Sequence, residues 1–249
     1  MTNLALIPAR GNSKRIPGKN ILPFFGHPMI AYAIAAAKNT GLFSDIIVST
    51  DDPLTGRIAE WYGATYLPRP AELSGGSVPT QDVALHVLDM LEARGKLPEC
   101  LCQLMVNCPL RRSEDIMDLQ RTFTERERDF QISAVPYRGV YPHWALGCDG
   151  EGRGRWLFSE GTMAPSQELQ SACCPTGAVW WTRVEAFRRQ KVFYGEPFHM
   201  APMDADRGID IDTPEDLDLA ETIVRGLEVR DGSSPLEPVD RNPFSRDHA

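Results

Sequence analysis

Leu4-Ala5-Leu6-Ile7 runs without a break into Pro8-Ala9-Arg10-Gly11-Asn12-Ser13-Lys14-Arg15-Ile16-Pro17-Gly18-Lys19-Asn20. A short apolar strand therefore opens onto a loop rich in glycine, small polar residues and cations. Glycine lets backbone N–H groups come close to phosphate oxygens, and Arg10, Lys14, Arg15 and Lys19 supply fixed positive charge. Both are what a bound polyphosphate needs, and the stretch reads as the first strand and ligand loop of a nucleotide-handling enzyme. An exposed basic turn with no ligand is the alternative.

Downstream of this loop, short β-rich runs alternate with helix-period segments, the mark of a parallel sheet covered on both faces. Met29, Ile30, Ala33, Ile34 and Ala37 share one face of a helix over 28–40 that closes at Gly41. Strands follow at 46–48, 65–67, 101–106 and 131–135, with helices over 54–62 and 80–94 and a further helix capped by Ser113. The fold is thus α/β, a Rossmann-like, mostly parallel sheet with helices on both faces. Ligands in such sheets sit outside the carboxyl ends of the strands, so the loops after Ile7, Val48, Leu67 and Val106 should line one crevice. From 137 to 175 the pattern loosens into a β-rich excursion, and strands resume at 178–181 and 199–203. Thr213 caps a last helix that reaches about Gly226. One domain over 1–227, with 137–175 as an insertion, and a mobile polar tail over 228–249 complete the expected organisation.

With 249 residues, 42% of them apolar and 24% charged, the chain has the makings of a soluble globular protein. Its net charge of -8 excludes a general nucleic-acid or membrane-surface role, so the basic loop serves a small ligand. No stretch is apolar enough to span a bilayer and no signal-peptide layout opens the chain, which reads as cytoplasmic. The six cysteines form no C-x-x-C pair and read as buried free thiols.

Other nucleotide motifs fail on spacing. Six residues separate Gly11 from Gly18 where a Walker loop needs four, and no G-x-G-x-x-G follows the first strand, which leaves a nicotinamide enzyme with little support. Asp210 and Asp212 lie two apart, so on an extended stretch both carboxylates project from the same side. Such a pair suits Mg²⁺, and helix-entry acids beside Thr213 are the equal alternative.

Together these elements resemble the CMP-acylneuraminate synthetase (acylneuraminate cytidylyltransferase) family and its relatives, the 3-deoxy-manno-octulosonate cytidylyltransferases. The resemblance rests on 7–14 and 17–20, on Ile47-Val48-Ser49-Thr50-Asp51, Arg69-Pro70-Ala71-Glu72-Leu73, Cys108-Pro109-Leu110-Arg111, Pro175-Thr176-Gly177-Ala178, and the run from Asp210 to Leu217. It implies a nucleotidyltransferase-type fold and transfer of CMP from CTP to the anomeric hydroxyl of a 2-keto-3-deoxy sugar acid, with release of pyrophosphate. It implies catalytic roles for Arg10, Lys14, Lys19 and Asp212. Pro8, Ala9, Arg10, Gly11, Asn12, Lys19, Asn20, Arg69 and Thr80 would bind the nucleotide, and Asp210 with Asp212 would hold Mg²⁺. Met105, Asn107, Trp144 and Gln167 would face the acceptor, and the 137–175 excursion would reach a partner subunit in a homodimer.

The chain departs from that family on the acceptor side. Met105 and Asn107 stand where sialate-specific members carry Gln and Thr, Cys174 where Arg is common, and Ser166 and Trp144 near positions usually Arg and Lys. Arg138, Arg153 or Arg155 are the candidate replacements for the missing cations. Trp144, Trp180 and Trp181 read either as an apolar acceptor pocket or as core. A modified, sialic-like nonulosonate is the expected acceptor; a phosphonate or phosphate monoester, or a non-catalytic nucleotide-binding homologue, are the alternatives.

Overall fold

The computed structural model of the chain describes residues 1–137, 141–158 and 164–239. Its elements in order are β1 (Asn3–Pro8), the short β2 (Pro23–Phe24) and β3 (His27–Pro28), α1 (Met29–Thr40), β4 (Asp45–Thr50), α2 (Pro53–Trp61), β5 (Thr65–Pro68), α3 (Thr80–Glu92), β6 (Cys100–Gln103), α4 (Ser113–Glu125) and β7 (Phe130–Pro136). Then come β8 (Leu146–Cys148), β9 (Gly154–Trp156), β10 (Cys173–Arg183), α5 (Val184–Gln190), β11 (Phe198–Pro202) and α6 (Pro214–Asp231). Seven strands form one sheet in the order β11-β7-β10-β6-β1-β4-β5. Only β10 runs against its neighbours; β1 pairs in parallel with both β4 and β6. The doubly covered, mostly parallel sheet read from the sequence is the fold.

The alternation of β1 explains its place at the centre. Leu4 and Leu6 point into one core with Val87 and Leu88 of α3 and Phe187 of α5, while Ala5 and Ile7 point into the other with α1, α4 and α6. Each buried valine, leucine, isoleucine or phenylalanine side chain contributes roughly 1.5–3 kcal/mol. Every residue of α1 from Met29 to Ala37 is buried, not just one face, because its alanines let neighbouring elements pack all round it.

Several expected boundaries move for identifiable reasons. β6 ends at Gln103, because the N–H of Leu104 still reaches Leu6 O but that of Met105 turns to Gly177 O at 3.1 Å on β10. Arg112, not Ser113, caps α4, since the Asp115 carboxylate accepts the Arg112 N–H at 3.0 Å. β10 starts at Cys173, five residues before the expected Ala178, by pairing Cys173 with Pro136. The loose excursion contains the hairpin β8–β9. α6 runs past Gly226 to Asp231 and closes on left-handed Gly232 at φ 69°. The chain beyond Gly232 is not a free tail: Leu236 and Glu237 are buried, and 240–249 lie outside the described residues. All six cysteines are free, but only Cys100, Cys102 and Cys108 are buried.

Candidate active site

Beyond the carboxyl ends of β1, β5 and β6 lies a cleft of about 570 Å³. Pro8, Arg10, Lys14, Arg15, Lys19 and Asn20 line it from the first loop, Arg69 and Thr80 from the second side, and Met105, Asn107 and Asp212 from the third. The loop after β4 supports the cleft from behind instead of lining it. Asp51 Oδ1 accepts the Gly11 N–H at 2.8 Å, and Ser49 accepts Arg69 Nε on its hydroxyl at 3.3 Å and Arg69 Nη2 on its carbonyl. A Cβ on Gly11 would lie 2.8 Å from Asp52 Cβ, so glycine is required there for close approach of the two loops. Arg10 Nη1 donates to Gly75 O at 3.1 Å, and Asn20 Nδ2 donates to Arg10 O at 2.7 Å, which fixes the loop at both ends. Ala9 is fully buried with its N–H on Ser49 O, and Asn12 is exposed; neither they nor Gly11 face the cleft.

Arg69 is 8% exposed, and burial draws its guanidinium below its usual range, with Asp51 opposing the shift and Arg10 adding to it. Two cations held together in this way are suited to an anion between them. Thr80 opens α3 at the cleft wall and accepts weakly from the buried Gln103 at 3.4 Å. The sequence reading missed Ser13, Gly75, Gly76, Val78, Val83 and Val106, which also line the cleft. The doublet Gly75-Gly76 between two serines was a readable turn signal; a Cβ on Gly76 would lie within 3.7 Å of both Arg10 and Lys14 side chains.

The two aspartates have different surroundings. Asp212 faces the cleft, bonded to Lys19 Nζ at 2.9 Å, Arg15 Nη2 at 3.0 Å and Asn107 Nδ2 at 3.3 Å. Burial pushes its carboxyl up, but the Lys19 bond, the charges of Lys19 and Arg15 and the Asn107 bond outweigh it and leave the group below the usual carboxylate range. Its backbone is set by the Thr213–Asp216 capping box at the start of α6, which also takes the Asp212 N–H at 3.0 Å. Asp210 turns to β10: its Oδ1 accepts from Cys108 Sγ at 2.7 Å, Thr176 Oγ1 at 3.0 Å and Gly177 N at 3.2 Å. Complete burial, reinforced by the Asp210 charge, pushes the Cys108 thiol well up, so it stays protonated and donates. Among the described residues no group of three or more His, Cys, Asp or Glu side chains is arranged around a metal position.

The acceptor-side residues are only partly brought together. Met105 and Asn107 reach the cleft, whereas Trp144, whose ring is tilted against Tyr141 with centroids 4.9 Å apart, and the exposed Gln167 do not line it. Arg153 is engaged by Asp149 at 3.0 Å and Glu151 at 3.1 Å, Arg155 sits on β9 in solvent, and Arg138 lies outside the described residues. The three tryptophans do not form one pocket. Trp181 is core, sandwiched by Phe43 and Phe123, and Trp180 packs on Phe193 and Tyr194 from the opposite face.

A family model for cytidylyltransferases matches residues 4–140, which carry the cationic loop, Arg69, Thr80 and Asn107. A pseudaminic acid cytidylyltransferase of Campylobacter jejuni is 28% identical over 227 residues, 90% of this chain and 97% of that protein. An N-acylneuraminate cytidylyltransferase of Streptococcus agalactiae is 30% identical over 220 residues, 87% of this chain and 52% of that longer protein. A solved structure of CMP:2-keto-3-deoxy-manno-octonic acid synthetase complexed with CTP shares the fold at a TM-score of 0.66, covering 91% of this chain and 99% of that one at 16% identity. The matched region is more than half of the chain and holds most of the residues that converge on the cleft: this chain belongs to the cytidylyltransferase family.

Proposed function

We propose that the chain transfers CMP from CTP to the anomeric hydroxyl of a 2-keto-3-deoxy sugar acid, a modified, sialic-like nonulosonate, and releases pyrophosphate. The acceptor oxygen bonds to the α-phosphorus as the bond to the pyrophosphate oxygen breaks, and the hydroxyl proton passes to solvent. The observation that carries this reading is the convergence of Arg10, Lys14, Arg15 and Lys19 on one cleft beside Asp212. Arg10, Lys14 and Lys19 hold the triphosphate and offset the charge that builds on the leaving pyrophosphate, where fixed cations contribute most. Asn20, Arg69 and Thr80 hold the cytidine, and Met105 and Asn107 face the acceptor. The names of relatives acting on pseudaminic and N-acylneuraminic acids support the nonulosonate class.

Mg²⁺ fits this site through one carboxylate. Hard oxygen ligands suit it, and it is held by one or two carboxylates plus substrate phosphates. Asp212 faces the cleft, whereas Asp210 does not line it and turns its Oδ1 to Cys108, Thr176 and Gly177. When bound, the metal supplies further neutralisation of phosphate charge. The chain's own part is to keep Asp212 ionised, through Lys19 and Arg15, and to keep the acceptor hydroxyl in line with the α-phosphorus.

The same proposal includes a cytoplasmic homodimer. No described helix is long and apolar enough to cross a membrane. On the β8–β9 excursion Leu146, Trp156, Leu157 and Phe158 are 58%, 47%, 51% and 54% exposed, an apolar surface of the kind that marks an interface. The test is pyrophosphate release from CTP and Mg²⁺ with pseudaminic acid, N-acetylneuraminic acid and 3-deoxy-manno-octulosonate in parallel. Release with one of the two nonulosonates supports the reading. Tight CTP binding with silence on every acceptor refutes the acceptor class, and absence of CTP binding refutes the whole.

A further inference from the structure

Past Gly232 the chain turns back over the molecule. Leu236, 6% exposed, joins the core beside α1 and α4, and Glu237 follows at 3% exposure. Its Oε2 accepts the Ser113 N–H at 2.7 Å, and its Oε1 accepts Ser113 Oγ at 3.0 Å and Asn39 Nδ2 at 2.7 Å. Asn39, near the end of α1, also donates to Pro238 O at 3.1 Å, and Arg112 Nε stands 3.9 Å from the carboxylate. A buried carboxylate is costly unless it is paired and hydrogen-bonded, and these donors at the positive end of α4 meet that need. The Ser113 N–H is in turn one of the helix-end donors that require an acceptor from outside the helix.

The segment gripped here is the one that walls the acceptor side of the cleft. Its first residue, Met105, and Ala178 of β10 both present carbonyls to Nη1 of the fully buried Arg111, at 3.1 and 2.8 Å. Asn107 O accepts the Ile211 N–H at 2.8 Å, and Asn107 Nδ2 reaches Asp212. Residues 105–113 are thus held at one end by 210–212 and at the other by Glu237, and α6 is the spacer between these two grips.

We propose that Glu237 is a positioning residue for the acceptor wall: the 232–239 strap clamps the 105–113 segment against α1, and the cleft keeps its acceptor geometry only while that clamp is closed. The inference rests on the function proposed above in so far as it names the acceptor side. Apart from the Lys19–Asp212–Asn107 contact, the nucleotide side is fixed separately, through Gly75, Asp51 and Ser49.

The test compares Glu237→Ala and Glu237→Gln with the unaltered full-length chain. Amide hydrogen exchange is read at 105–113 and at 10–20, CTP binding is measured without metal, and pyrophosphate release is followed with whichever sugar acid the unaltered chain accepts. In Glu237→Ala, exchange at 105–113 accelerates about tenfold while 10–20 is unchanged, CTP affinity stays within about twofold, and kcat/KM for the acceptor falls about tenfold, within the range seen when a reacting group is misplaced from afar. Glu237→Gln, which keeps one acceptor oxygen, is intermediate. Unchanged exchange at 105–113 overturns the clamp. So does a parallel loss of CTP affinity and acceptor turnover, which would mark general loosening. An unaltered chain that turns over no acceptor, with the exchange response as expected, refutes the proposed function and supports the clamp.

Discussion

The two banks of the cleft are built differently. The nucleotide bank is tied together by backbone and charged groups of one chain: Arg10 to Gly75, Gly11 to Asp51, Arg69 to Ser49 and Lys19 to Asp212. The bank carrying Met105 and Asn107, proposed to face the acceptor, gets no lining residue from the 141–158 excursion, whose Trp144 and Trp156 are partly exposed and whose Arg153 is paired within its own turn. A triphosphate makes the same demand in every member of a fold, so its bank is fixed and self-contained. Under the proposed function the other bank answers to a variable acceptor, and the exposed apolar side chains of the excursion belong to the proposed dimer interface.

The contrast between the banks is most exposed to test at the carboxylate where they meet. Asp212→Asn lowers pyrophosphate release by about 100-fold or more, the scale of a lost electrostatic group at a reacting centre, and leaves CTP binding without metal measurable. Unchanged release in that variant removes Asp212 from the reaction. Lys19→Met is next in size, with KM for CTP raised about tenfold or more, since a charge-assisted contact to phosphate is lost. It also changes the acid limb of stability. Asp212 has a folded pKa below its unfolded one, so its contribution is whole above the ordinary aspartate range and fades as pH falls through the folded value. With a side chain 37% exposed the effect is screened and modest. Thermal melts of the ligand-free protein below about pH 4 should therefore decline less steeply in Lys19→Met than in the unaltered chain.

Legibility in the sequence obeys the same division. The sheet was readable because β1, β4 and β6 are apolar runs buried on both faces, and the cationic loop because charge and glycine are written in consecutive residues. Nothing in the order of residues shows that the close approach at Gly11 is to Asp52, since glycine at a close approach looks the same beside a side chain or a phosphate. Asp210 and Asp212 share a spacing, yet Thr176 and Gly177, far away in sequence, decide that one turns inward. The strap was missed because its polar composition reads as solvated, while a single buried Glu237 with three bonds anchors it. Trp144 and Gln167 were placed by resemblance alone, and the single chain leaves both off the cleft wall.

Gly11→Ala tests the rigidity of the nucleotide bank. Its Cβ would meet Asp52 Cβ at 2.8 Å, and Asp52 caps α2 through Leu54 and Thr55, so neither side can give cheaply. A loss of about 1–3 kcal/mol in denaturant unfolding is expected, as for overpacking elsewhere, with a weaker hold on CTP. Gain of stability would mean that the two loops are free to part.

A change of only a fewfold discriminates most finely between the banks. If Asp210 belongs with the acceptor bank as a tie between the 208–212 segment and β10, Asp210→Asn keeps an oxygen for Thr176, Gly177 and Cys108 and loses only charge-assisted strength, roughly 1 kcal/mol or a fewfold in turnover. If it serves as a second metal ligand, removing its charge weakens Mg²⁺ attachment as Asp212→Asn does, and the two variants fall together. Titrating activity with Mg²⁺ separates these cases: a shift of the half-saturating metal concentration in Asp212→Asn alone leaves Asp210 as the tie. An equal shift in both makes Asp210 a second ligand.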